Sequence, residues 1–276
     1  MTIELPRTAL LGVGSMSGAV LDGLLAAGLD RATVTLTTKS EQSAAAQRER
    51  GLDATATDTD PDANRAAVRG ASLVVLGVKP YAIGDLLDEV SADLEPGTVV
   101  VSVAVGTTTA SMEAKVPAGV RVVRALPNTP IGVGHGVTGI SAGASADADA
   151  VALASSVFDA SGVVIEVPES QLDALSAVSG SGPAYVFLLV EQWQQAAESL
   201  GFSHDQAEAM VQGTLRGAVE LLAASGREPT DLRKAVTSPK GTTERAVAVL
   251  QDADLAGTFE RASRAAIARA EELAKA

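Results

Sequence analysis

The chain has 276 residues, enough for one or two domains at roughly 150 residues each. Its 34 acidic and 21 basic side chains leave a formal net charge of −13, which argues against nucleic acid or an anionic membrane surface as the main partner, because phosphate-rich surfaces need a cationic complement. With no cysteine and only His135 and His204, disulfides, thiolate catalysis and Cys-ligated metal are excluded, no metal site is expected, and the composition fits the reducing cytoplasm.

Short β-branched runs alternate with Ala- and Leu-rich stretches through the first half. Strands are expected over Thr8–Val13, Thr33–Thr37, Leu73–Val78, Thr98–Val103, Arg121–Ala125, Gly136–Ile140 and Val163–Glu166. Helices such as Gly18–Ala27 and Ile83–Leu94 fall between them, which predicts a mostly parallel sheet covered on both faces. The unbroken apolar run Leu73–Val78 fits a strand buried on both sides. Beyond Val167 no comparable strand appears. Ala184–Leu200, Ser203–Ala224, Thr230–Ala235, Thr242–Asp252 and Leu255–Lys275 all read as helices, with Pro183 at a helix start and Gly226 at a helix end. The expected fold class is therefore α/β: an N-terminal Rossmann-like, doubly wound domain over 1–167, then an all-α domain over 168–276. No apolar run reaches the length of about 18 residues that marks a membrane span.

The first expected strand ends in Leu10-Leu11-Gly12-Val13-Gly14-Ser15-Met16-Ser17, opening into a helix. Gly12 permits the tight turn and Gly14 the close approach of a pyrophosphate to free helix N–H groups. Ser17 stands where the G-x-G-x-x-G pattern has its third glycine. After the second strand the sequence runs Thr37-Thr38-Lys39-Ser40, with no acid before Glu41. An acid would favour the ribose hydroxyls of NAD, whereas a lysine among hydroxyls suits the 2′-phosphate of NADP. Residues alone leave Lys39 open as a solvated loop cation.

With these residues in view, the chain resembles the pyrroline-5-carboxylate reductase family over nearly its whole length. Six segments carry the resemblance in order: the glycine turn with Met16, Val78-Lys79-Pro80, Val101-Ser102-Val103-Ala104-Val105-Gly106, Pro127-Asn128-Thr129-Pro130, Ser179-Gly180-Ser181-Gly182-Pro183-Ala184-Tyr185, and Leu232-Arg233-Lys234-Ala235-Val236-Thr237-Ser238-Pro239-Lys240-Gly241-Thr242-Thr243. The resemblance implies reduction of 1-pyrroline-5-carboxylate to proline with NADPH preferred and NADH usable. It implies cofactor contacts at Leu11, Gly12, Val13, Gly14, Ser15, Met16, Lys39, Ser40, Asn64, Gly77, Val78, Lys79, Pro80, Ala104, Val105 and Gly106. Substrate contacts are implied at Ser238, Gly241, Thr242 and Thr243, with Thr243 hydrogen-bonding the imine nitrogen as the catalytic residue. It further implies a homodimer, or an assembly of dimers, built on the helical domain.

Lys240 departs from the family signature, which has glycine there. Read without the family, Thr242 and Thr243 serve equally as a helix N-cap. Two other functions remain open to the sequence: a related imine or 3-hydroxy-acid reductase of the same architecture, and a non-catalytic nucleotide sensor. His135, His204, Tyr185 and Trp193 read as structural or packing residues.

Overall fold

The computed structural model describes residues 4–274. Eight strands form one sheet: β1 (Thr8–Leu11), β2 (Val34–Thr38), β3 (Asp53–Ala56), β4 (Leu73–Leu76), β5 (Val99–Ser102), β6 (Arg121–Leu126), β7 (Gly136–Ala142) and β8 (Gly162–Glu166). Their order is β3-β2-β1-β4-β5-β6-β7-β8, parallel except for the β6–β7 pair. Strand order therefore reverses beside β1, between β2 and β4, the switch point at which doubly wound sheets bind ligands.

Period-two alternation sends each central strand to two cores. Leu10, Leu73, Val75, Val99, Val101 and Val123 join one. That face is covered by Val20, Leu21 and Leu24 of α1 (Ser15–Ala26), Ala44 of α2 (Glu41–Glu49), and Ala154 and Phe158 of α6 (Ala148–Asp159). Ala9, Leu11, Val74, Leu76 and Val100 join the other, beneath α3 (Ala63–Val68), α4 (Ile83–Val90) and α5 (Thr109–Glu113). This is the doubly wound arrangement expected.

The sequence reading misses β3. Its residues, Asp53-Ala54-Thr55-Ala56, have weak strand propensity, and it forms by parallel pairing with β2 at the sheet edge. Thr33 belongs to a 3₁₀ turn rather than a strand, and α1 begins three residues earlier than expected.

After β8 come α7 (Glu169–Leu175), a π-helical turn at Ser176–Gly180, α8 (Gly182–Ser199), α9 (His204–Ser225), α10 (Pro229–Ala235), α11 (Thr242–Asp252) and α12 (Leu255–Ala274). The expected last residue of that final helix, Lys275, lies outside the described residues. Gly226 ends α9 in the left-handed conformation, and Ser203 caps it with Gln206 in a reciprocal box. The chain divides into two compact units, one reaching to Pro183 and including the chain from Ala266, the other Ala184–Ala265.

Within Ala184–Ala265 the buried apolar side chains are Ala197, Ala207 and Val211 alone. Phe187, Leu188, Leu189, Val219, Leu221, Val249 and Leu250 are exposed. The continuous helical run Glu169–Ser199 is long and apolar enough, by length and composition alone, to cross a bilayer, although it contains no unbroken apolar run of that length. The reason is that α7, the π turn and α8 join end to end, with exposed apolar residues where a core helix would bury them.

Candidate active site

The glycine turn is fixed by three interlocking residues. Gly12 has φ 82°, and its N–H and that of Val13 donate to the Thr37 carbonyl at 3.1 and 2.9 Å, tying the turn to the end of β2. Ser17, buried at the pattern's third position, donates its hydroxyl to Gly12 O at 2.8 Å and accepts the Gly14 N–H at 3.1 Å. Gly77 closes the arrangement from β4. A Cβ there would overlap Ser17 Oγ and stand 2.5 Å from Gly12 O. Ser17 thus replaces a glycine contact with hydrogen bonds that hold the turn closed.

A cavity of about 560 Å³ opens at the C-terminal ends of β1, β2 and β4, the size range of small-ligand sites. It brings together Gly12, Val13, Gly14, Lys39, Asn64, Gly77, Val78 and Lys79. It adds Thr37, Thr38, Thr57, Tyr81 and Ala82. Thr37 and Thr38 stand among the hydroxyls noted beside Lys39. Thr57, just past the end of β3, went unseen with that strand. Tyr81 and Ala82 followed the Val-Lys-Pro segment without a signal of their own. Leu11 is buried at the end of β1, where its carbonyl accepts the Gly77 N–H at 2.8 Å. Ser15 and Met16 are the first residues of α1, whose leading N–H groups have no intrahelical acceptor. Ser40 caps α2 by accepting the Ser43 N–H, and Pro80 opens a 3₁₀ turn. Ala104, Val105 and Gly106 follow β5 and do not line the cavity.

These residues fit a dinucleotide. A Cβ built on Gly14 meets nothing within 4 Å, so the backbone there is open to a phosphate approaching the start of α1. Lys39 is exposed at the rim, and Asn64 is buried, donating to Glu89 Oε2 at 3.2 Å.

Two further motifs meet beyond β6. Asn128 is buried, accepts the Val137 N–H at 2.8 Å and donates to the Ser179 carbonyl in the π turn at 2.9 Å. Buried Arg124 on β6 pairs with Asp173 at 2.9 Å and Glu169 at 3.5 Å, while Glu169 also accepts from Thr109 N–H and Oγ1. Both anchor the start of the helical segment.

In the other unit, Ser238-Pro239-Lys240-Gly241 is a turn closed by Gly241 N–H donating to Ser238 O at 2.9 Å. Lys240 has φ 62°, at the turn position that ordinarily takes glycine after a proline. Its N–H donates to Glu244 Oε2 at 2.8 Å. Gly241 is the N-cap of α11, with no side-chain cap. Thr242 and Thr243 are therefore the first two helical residues, exposed, and the N-cap role considered for their hydroxyls is not one they play.

Of the remaining candidates, His135 is exposed before β7. His204 starts α9 with Nδ1 2.7 Å from Glu198 Oε1, which raises its pKa above the ordinary imidazole value. Tyr185 packs its ring on Phe259, centroids 6.2 Å apart. Trp193 keeps 43% of its surface exposed, so packing within one chain leaves it incomplete.

A doubly wound sheet with a glycine-lined cavity at its switch point defines a nicotinamide-dinucleotide oxidoreductase of the Rossmann class. Pyrroline-5-carboxylate reductases from Corynebacterium melassecola and Pseudomonas aeruginosa are 36% and 37% identical to it, over 97% and 98% of this chain and 98% and 97% of theirs. The chain belongs to the pyrroline-5-carboxylate reductase family. The solved structure of a pyrroline-5-carboxylate reductase from Coxiella burnetii is 38% identical and matches with a TM-score of 0.90, covering 98% of this chain and 99% of that one. Residues 169–273 match the family described as pyrroline-5-carboxylate reductase dimerisation, and residues 7–106 match that described as NADP oxidoreductase, coenzyme F420-dependent.

Proposed function

We propose that this chain reduces the cyclic imine 1-pyrroline-5-carboxylate to proline, the last step of proline biosynthesis, with NADPH preferred over NADH. The observation that carries the reading is the switch-point cavity, where Gly12–Gly14, Thr37–Lys39 and Gly77–Lys79 converge from three strand ends. Dinucleotide binding falls to residues 1–167, and substrate binding and dimerisation to 168–276. The first N–H groups of α1, at Ser15 and Met16, take the pyrophosphate. Lys39 and Ser40 take the 2′-phosphate. Asn64 and Gly77–Pro80 flank the cofactor, and Ala104–Gly106, following β5, support its nicotinamide half.

When bound, the reduced nicotinamide supplies a hydride to the imine carbon. The chain's own task is to orient the imine and hold its charge. Ser238, Gly241 and Thr242 present a hydroxyl, backbone N–H groups and the positive end of α11 to the substrate carboxylate. Thr243, exposed in the first turn of α11, hydrogen-bonds the imine nitrogen, which carries the proton that makes its carbon electrophilic.

The sparse core of Ala184–Ala265 and its exposed apolar side chains support a homodimer, because a lone copy would leave a large hydrophobic surface in water. A cytoplasmic location accords with the cysteine-free chain. The deciding experiment is NADPH oxidation on addition of pyrroline-5-carboxylate, with proline identified as product. No oxidation by a nucleotide-binding protein would favour the sensor reading. Light scattering should show at least a dimer; an active 27.8 kDa monomer would refute the assembly.

A further inference from the structure

Tyr81 is 86% exposed and yet lines the nucleotide cavity. An aromatic ring left in water retains a large apolar surface that a flat ligand can cover. The segment carrying it is not a loose loop. Pro80 fixes the first residue of the 3₁₀ turn, Ala82 N–H donates to Lys79 O at 2.9 Å, and Ile83, 1% exposed, roots the following helix in the core. The backbone that carries the ring is therefore fixed at the rim before any ligand arrives.

The aromatic and aliphatic lining of the cavity is concentrated on one side. Thr38, Lys39 and Thr57, from the ends of β2 and β3, offer hydroxyls and a cation. Val78, Tyr81 and Ala82, following β4, offer apolar surface beside the exposed Lys79. A ribose whose phosphate sits by Lys39 directs its base toward the apolar side. The nicotinamide half runs the other way, from the switch point toward β5 and β6. We propose that Tyr81 stacks on the adenine ring and sets how tightly the adenosine half of the cofactor is held. This rests on the dinucleotide site proposed above.

The test is calorimetric titration of the full chain with 2′,5′-ADP, which carries the base and both phosphates, and with inorganic pyrophosphate, which has no base. Base–aromatic stacking predicts that Tyr81→Ala weakens 2′,5′-ADP by roughly 5- to 30-fold. Tyr81→Phe keeps the ring and should stay within about twofold of the parent. Pyrophosphate should bind all three proteins alike. Unchanged 2′,5′-ADP affinity in Tyr81→Ala overturns the stacking and leaves the nucleotide site standing. A parallel loss of pyrophosphate also overturns it, since the cavity itself would then have collapsed. A parent protein that binds neither ligand refutes the nucleotide site and the stacking together.

Discussion

Gly77→Ala is the sharpest probe of the nucleotide turn. The added methyl would overlap Ser17 Oγ and stand 2.5 Å from Gly12 O and 2.7 Å from Ser17 Cβ, each short of ordinary contact at 3.4 Å by most of an ångström. None of these neighbours is the free end of a flexible side chain. Ser17 is locked by its bonds to Gly12 O and Gly14 N–H, and Gly12 is tied through its N–H to Thr37. Relief must come from moving the turn itself. Overpacking of this kind costs about 1–3 kcal/mol, and involvement of backbone on both sides puts it at about 2–3 kcal/mol. If the turn yields, that energy appears as lost pyrophosphate binding, roughly 30- to 150-fold in the NADP⁺ dissociation constant. Titration calorimetry measures it, with circular dichroism checking that the sheet is intact. Ser17→Gly in the Gly77→Ala background removes two of the three clashes and should recover part of the affinity. Binding within about twofold of the parent, or a double variant no better than the single, would refute the interlocking turn.

Lys39→Ala should raise the KM for NADPH by about 5- to 30-fold through loss of a charge-assisted phosphate contact, with NADH unaffected; equal effects on both would refute the phosphate site. Thr243→Ala should lower kcat/KM for the imine by roughly 5- to 150-fold while NADPH binding holds, and Thr243→Ser should retain most activity; normal turnover in Thr243→Ala removes the catalytic assignment. Lys240→Gly relieves a left-handed lysine worth about 1–2 kcal/mol, less the entropy glycine adds to the unfolded chain, so melting should rise by about 1–4 °C. Lys240→Ala keeps the same backbone constraint and should melt with the parent; equal shifts in both would refute the strain. The hydrogen bond to Glu198 raises the folded-state pKa of His204 above its unfolded value near 6.5. That contribution is full below the unfolded pKa and is lost as pH rises through the folded one, so His204→Ala should lower the urea midpoint at mildly acidic pH and leave it alone in alkali.

The parts of the fold legible in the sequence are those where burial imposes a local pattern. Leu73–Leu76, apolar at every position, announces a strand covered on both faces, and every one of its residues is buried. The edge strand Asp53–Ala56 announces nothing, because its existence depends on β2 offering free ladder groups rather than on its own side chains. Thr57 was lost with it, although it reaches the same cavity as Lys39. That no unbroken apolar run reaches the length of a membrane span holds along the chain, yet it says nothing of how the shorter runs after Val167 are assembled. Chain pattern shows where hydrophobic residues fall, and it does not show that three helical pieces join or that their apolar faces lie exposed.

Within the site, motif departures were visible but their meaning was geometric. In the sequence Ser17 stands only as a residue in place of the pattern's third glycine. Its hydroxyl in fact makes two hydrogen bonds that close the turn, and that closure is why position 77 tolerates no side chain. In the sequence Lys240 stands only as a departure from the family's glycine. Its positive φ shows that the turn itself asks for a glycine-like conformation at this position. A lysine there pays in backbone strain, and the Glu244 carboxylate offsets part of it by accepting the lysine's own N–H. The loop is thereby held in the glycine-like conformation without glycine. Thr242 and Thr243 consequently enter α11 in a fixed register, with a backbone cap at Gly241 that leaves both hydroxyls unspent. Hydroxyls freed from capping are available to a carboxylate and an imine nitrogen, so the departure at Lys240 leaves the proposed chemistry physically open.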